Sequence, residues 1–202
     1  APSGGVSSLA NYKGKQNVLE MRVNTALQSP DGFYQTEGLQ RAVPSSVALK
    51  ASLFVDKAWL TNKVRVGLWG VGHDVTSAVS AYPIVEFTTD GEGGFTGWRA
   101  WDGVDGGWTN LPTVKVKKNE WNKLEIVYNG VTNKFDIYIN EKLAISNTGG
   151  DTVDFGAVIL NNKNYGALGS NYSVHWSKFG YGNVRVKDDC KKDGWKNLQD
   201  DD

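Results

Sequence analysis

The sequence contains no run of about 18 apolar residues, the least that a bilayer-spanning helix needs, so no membrane insertion is expected. It has no excess charge of either sign. The 22 Lys and Arg residues balance 22 Asp and Glu, whereas a protein that displaces phosphate counterions carries a basic surplus, so no nucleic-acid partner is expected. Histidine occurs twice and cysteine once, which leaves no spacing suited to a zinc site. No glycine-rich phosphate loop precedes a helical segment and no nucleophile elbow occurs, so nucleotide chemistry and serine hydrolysis have no support. Internal repeats and long amphipathic helical patterns are also missing. The opening Ala1-Pro2-Ser3-Gly4-Gly5 lacks the basic and apolar parts of a secretion signal, and reads as a mature N-terminus or a domain boundary.

What is abundant is glycine, at 24 residues, and tryptophan, at eight, a profile that suits short strands joined by tight turns. At 202 residues the chain fits one large all-β domain with a conventional core. Period-two alternation recurs along it. Residues 17–23 (NVLEMRV), 47–55 (VALKASLFV, after a turn at Pro44-Ser45-Ser46) and 83–88 (PIVEFT) read as strands. Residues 63–69 (KVRVGLW) place Val64, Val66 and Leu68 on one face and Arg65, Gly67 and Trp69 on the other. Residues 95–102 (FTGWRAWD) follow, and Asp90-Gly91 and Asp102-Gly103 mark two-residue turns. Residues 121–128 (WNKLEIVY) and 134–139 (KFDIYI) form a hairpin about Asn129-Gly130, and a second turn at 140–142 leads into Leu143-Ala144-Ile145. The last strands are 153–160 and 172–179. This pattern predicts an all-β, antiparallel two-sheet β-sandwich or jelly roll of ten to fourteen strands.

The span 119–145 (NEWNKLEIVYNGVTNKFDIYINEKLAI) resembles the hairpin of the concanavalin A-like, laminin-G-like jelly-roll superfamily, with Glu141 where that turn usually has glycine. Residues 172–186 resemble its last strand, with Ser177-Lys178 in place of a common Asp-Asn pair. The resemblance implies a concanavalin A-like jelly roll over residues 1–186 and, since the superfamily includes lectins, adhesins, glucanases and lyases, leaves function open. Residues 187–202 form a tail around Cys190. The tail resembles segments near the ends of bacterial secreted and surface proteins, where a second cysteine commonly follows. The expectation is a secreted or cell-surface location and a start of a further segment of a longer protein, with the partner of Cys190 beyond it.

Glucanases of this fold carry Glu-x-Asp-x-x-Glu on one strand, setting alternate carboxylates at the separation retaining hydrolysis requires. That motif is absent; the nearest match places only Glu86 within a strand. Acidic turns offer Asp90, Glu92, Asp102 and Asp105 as candidate calcium ligands, although no cofactor is required by the reading. Parity instead singles out a ligand-binding set: Arg65, Glu86 and Arg99 in a row, flanked by Trp69 and Trp101, with His175 joining from the last strand and Trp108 on the glycine-rich rim. At least one of Trp98, Trp101 and Trp108 is expected to be exposed. Aromatic rings cover the C–H face of a sugar while charged groups take its hydroxyls. The leading expectation is a monomeric, non-catalytic module that binds a poly- or oligosaccharide. A polysaccharide lyase using Arg65, Arg99, His175 and Tyr82 is a second reading, and a structural spacer or protein-binding domain a third.

Overall fold

The computed structural model describes residues 1–185 and the backbone of Lys196–Asn197; the tail boundary at 187 and Cys190 lie outside the described residues. The strands are β1 (Val6–Tyr12), β2 (Lys15–Val23), β3 (Thr36–Ser46), β4 (Ala48–Val55), β5 (Arg65–His73), β6 (Val79–Ala81), β7 (Ile84–Gly91) and β8 (Phe95–Trp101). They continue as β9 (Trp108–Asn110), β10 (Glu120–Asn129), β11 (Lys134–Ile139), β12 (Lys142–Thr148), β13 (Asp154–Lys163), β14 (Tyr172–Gly182) and β15 (Lys196–Asn197). One antiparallel sheet runs β1-β2-β14-β4-β10-β11-β12, with β15 beside β14. The other runs β3-β13-β5-β7-β8-β9, with β6 beside β5. Among the described residues five short 3-10 turns connect the strands, and no helix is long and apolar enough to cross a membrane.

The alternation decides the layers. Leu124, Ile126, Phe135 and Ile137 point inward from the first sheet and meet Val66, Leu68, Phe87 and Trp98 from the second, all fully buried. Each such side chain contributes roughly 1.5–3 kcal/mol on burial. Val64, Val66 and Leu68 therefore bind the outward direction of Arg65 and Trp69 to the core.

Three local readings need correction. Asp90-Gly91 is no two-residue turn: Gly91 is still in β7 and pairs with Phe95, and Gly93 and Gly94, both at positive φ, turn the chain. After β8, Trp101 pairs with Trp108, so Asp102-Gly103 opens a six-residue loop in which the Asp102 carboxylate accepts from the Val104 and Asp105 amides. Residues 36–46 form a strand, although Pro44 sits near its end. Proline removes a donor from the ladder, which an edge strand tolerates; β3 is such an edge, and its register with β13 shifts beside Pro44. The turn at Asn140-Glu141 is a two-residue turn with φ of 49° and 72°, as a primed hairpin requires.

Candidate functional site

The outer face of the second sheet carries three rows that cross the strands in register. Gly38, Asn161, Gly67, Glu86, Arg99 and Asn110 are successive partners across β3, β13, β5, β7, β8 and β9. Two residues to one side, Ile159, Trp69, Ile84, Trp101 and Trp108 form an apolar row. Two residues to the other side lie Thr36 with Lys163, and Arg65 with Thr88 and Gly97. A cavity of about 800 Å³ opens over this face, lined by side chains of all three rows and by Phe33, Tyr34, Gln35 and Tyr82. Close approach needs glycine at two floor positions. A Cβ on Gly67 would lie 2.9 Å from the Glu86 Cβ, and one on Gly38 would lie 2.5 Å from the Leu160 carbonyl oxygen.

Parity holds across β5, β7 and β8, so Arg65, Trp69, Glu86, Arg99, Trp101 and Trp108 come together as expected. Glu86 and Arg99 are buried, and the Arg99 Nε donates to Glu86 Oε1 at 2.6 Å. The guanidinium also lies 3.9 Å from the centre of the Trp108 ring. Trp101 and Trp108 meet edge to face at 5.2 Å; both are half-buried while Trp98 is fully buried, so none of the three rings is as exposed as expected. Arg65 Nη2 donates to the Asp90 carbonyl at 3.1 Å and reaches its carboxylate at 3.4 Å. Lys163 lies over the Tyr165 ring at 4.7 Å.

Burial pushes the Glu86 carboxyl above its ordinary value, with Arg99 opposing. It lowers the Lys163 ammonium, and the neighbouring Arg65 lowers it further. The Tyr165 hydroxyl is raised well above the ordinary phenol range by burial. Arg65 Nε, Trp69 Nε1, Arg99 Nη2, Asn110 Oδ1, both amide atoms of Asn162 and the Tyr165 hydroxyl are buried without a hydrogen-bond partner. Of these residues Arg65, Trp69 and Asn162 line the cavity, and since native interiors rarely leave such groups unmatched, their place there fits a polar ligand.

The two sheets separate His175 from this set. His175 is in β14 of the first sheet, stacked on Tyr12 at 3.7 Å and hydrogen-bonded to Glu20 at 2.8 Å. Its alternation with Val174 and Trp176 was read correctly, but strand order put it on the opposite outer face. The proposed calcium ligands do not converge either. Asp90 faces Arg65, Asp102 is held in its own turn, and among the described residues no group of three His, Cys, Asp or Glu side chains could hold a metal. Tyr82 does reach the cavity, 6.3 Å from Trp69.

Sequence reasoning missed Asn161, Asn162 and Lys163 because the strand read as 153–160 continues to Lys163; extending the alternation would have found Asn161 and Lys163, whereas Asn162 falls on the core side of it, opposite Val66. Phe33 and Tyr34 gave no periodic signal. They stand exposed on a 3-10 turn, with Tyr34 and Gln35 at φ of 45° and 59°.

With this geometry in place, comparison with solved structures is informative about the fold. The β-glucanase of Bacillus licheniformis superposes with a TM-score of 0.52 at 14% identity, over 91% of this chain and 84% of that one. The fold is a concanavalin A-like jelly roll. A GH131 β-glucanase catalytic domain from Podospora anserina gives the same jelly-roll match, with a TM-score of 0.52 at 10% identity over 92% and 81% of the two chains. A sialidase matches 80% of this chain at 12% identity and a TM-score of 0.49, and the chain spans only 15% of the sialidase's length. No protein-family model matches the jelly roll, and no curated protein does. These identities speak for the fold alone. Within the jelly roll, the in-strand carboxylate of the cavity, Glu86, is engaged by Arg99.

Proposed function

We propose that the chain is a non-catalytic glycan-binding module of a secreted or cell-surface protein, and that it holds a sugar chain in the cavity of the second sheet. The observation that carries this reading is the pairing of an aromatic row (Trp69, Trp101, Trp108) with a floor of buried, unmatched polar atoms in one cavity of about 800 Å³. Rings lie against the apolar face of a pyranose while donors and acceptors beneath meet its hydroxyls. Solved structures of the same fold include proteins named as β-glucanases, which act on sugar polymers, and this agrees with the reading. The contacts come from the chain's own side chains, so no metal is required.

A glycan-array screen, run with and without calcium, tests the proposal together with an ultraviolet assay for unsaturated uronate. Saturable binding that weakens on Trp101→Ala, without product, is the expected result. Product release would move the chain to the lyase class, whose candidate set now comprises Arg65, Arg99 and Tyr82 without His175. Silence in both assays would leave a spacer or protein-binding role.

A further inference from the structure

The cavity is not charge-balanced. Three cations face it or lie directly beneath it, Arg65, Arg99 and Lys163, against two carboxylates, and each carboxylate is already engaged. Glu86 accepts from Arg99 Nε at 2.6 Å, and Asp90 faces Arg65 Nη2 at 3.4 Å. Arg99 Nη2, on a side chain that is 3% exposed, and Arg65 Nε remain buried and unmatched. Lys163 makes no ion pair among the described residues and rests instead over the Tyr165 ring. Its neighbour Arg65 repels it, which adds to the burial that lowers its proton affinity. Neutral hydroxyls would match the free N–H groups but leave the surplus charge uncompensated. An anion held between Lys163 and Arg65 would match both, through charge-assisted hydrogen bonds that are about twice as strong as neutral ones.

We propose that the sugar chain bound here is acidic: an anionic group, carboxylate or sulfate, on one of its residues sits at the Lys163–Arg65 end while other rings of the chain lie toward Trp101 and Trp108. This rests on the glycan-binding reading and adds the charge of the ligand to it.

The test is calorimetry with three probes of equal length: a hexagalacturonate, its carboxyl-reduced neutral counterpart and a sulfated galactan hexasaccharide. At least one acidic probe is expected to bind about tenfold or more tightly than the neutral one, by the strength of one charge-assisted contact. That preference should shrink as salt rises from about 0.05 to about 0.5 M. Lys163→Met is expected to remove most of the preference, and Lys163→Arg to keep it. Lys142→Met, the same charge loss on exposed β12, should leave it intact. Preference for hexagalacturonate identifies a carboxylate and preference for the sulfated probe a sulfate; either upholds the inference. Equal binding of all three, weakened on Trp101→Ala, overturns the acidic ligand and keeps the glycan reading. Equal loss of preference in Lys142→Met and Lys163→Met also overturns it, since bulk charge would then be the cause. If none of the three binds and the glycan array is silent too, both readings fall.

Discussion

The outer faces of the two sheets are built from the same alternation and treat their charges in opposite ways. On the first sheet two clusters of charges are matched among themselves. Glu20 bridges Arg22 and His175, Arg185 lies between Glu125 and Glu141 at 3.1 and 3.2 Å, and Lys123 reaches Glu141 at 2.6 Å. Aromatic rings complete these clusters: Tyr12 covers His175, and Tyr138 lies 3.7 Å beneath the Arg185 guanidinium. Around the cavity of the second sheet, Arg65, Arg99 and Lys163 outnumber Glu86 and Asp90, whereas buried atoms without a hydrogen bond occur on both sheets, Glu125 Oε2 and Arg185 Nε on the first among them. The contrast teaches that charge on a sheet face is not in itself a sign of a site. What distinguishes the candidate site is charge that the fold leaves over.

The largest effect expected from breaking this contrast comes from Arg99→Met, which leaves Glu86 buried without its cation. Urea unfolding at neutral pH should show a loss of about 3–5 kcal/mol, and the loss should ease in acid, where Glu86 takes up a proton. An unchanged midpoint would mean that water reaches the Glu86 carboxyl. On the first sheet, His175→Asn removes one charged hydrogen bond and a stacked ring, worth about 1–3 kcal/mol in a melting curve. Glycan affinity should not move, which would set this face apart from the second.

Trp101→Ala should reverse that pattern, weakening glycan binding by roughly five- to tenfold while costing less stability than Arg99→Met. Acid titration separates the faces by sign. The Glu20 carboxyl is lowered in the fold by the hydrogen bonds of His175 and Arg22, which overcome the upward push of burial. Its contribution is present above the ordinary glutamate value of 4.5 and is lost as pH falls through the lower folded value. Glu86 is raised, so its contribution is full below 4.5 and is lost as pH rises through the higher folded value. Glu20→Gln should therefore flatten the acid limb of a stability–pH profile, and Glu86→Gln the limb above it. The smallest change is expected from Glu141→Gly, within about 0.5 kcal/mol, because relief of a left-handed φ offsets the loss of two surface ion pairs. A larger gain would show that the pairs to Lys123 and Arg185 contribute little.

The fold was legible because burial enforces alternation. Every strand read from period two is present, and among the described residues the strands that escaped are those that bury little, β1, β3 and the short β6 and β9. Half of the site was legible for the same reason, since Val64, Val66 and Leu68 fix where Arg65 and Trp69 point. The rest depends on which strands become neighbours, and parity carries no information about that. His175 obeyed its parity and landed on the wrong sheet. Lys163 and Asn161 became neighbours of Arg65 and Gly67 only because β13 pairs with β5 across about ninety residues of sequence. A contact from the first sheet also holds this end: Tyr172 of β14, nine residues further along the chain, donates its hydroxyl to the Lys163 carbonyl.

Because the three rows run across the strands, the sheet also acts as a ruler. Six strands at about 4.8 Å spacing set Gly38 and Asn110, the ends of the middle row, roughly 24 Å apart, several times the width of one pyranose. A single sugar ring covers one or two of those strands, touching either the cations or the indoles. Only an oligomer laid across the sheet reaches both ends, so affinity should climb with each added residue until the last strand is covered and then stop. The length at which it stops reads out the number of strands in register.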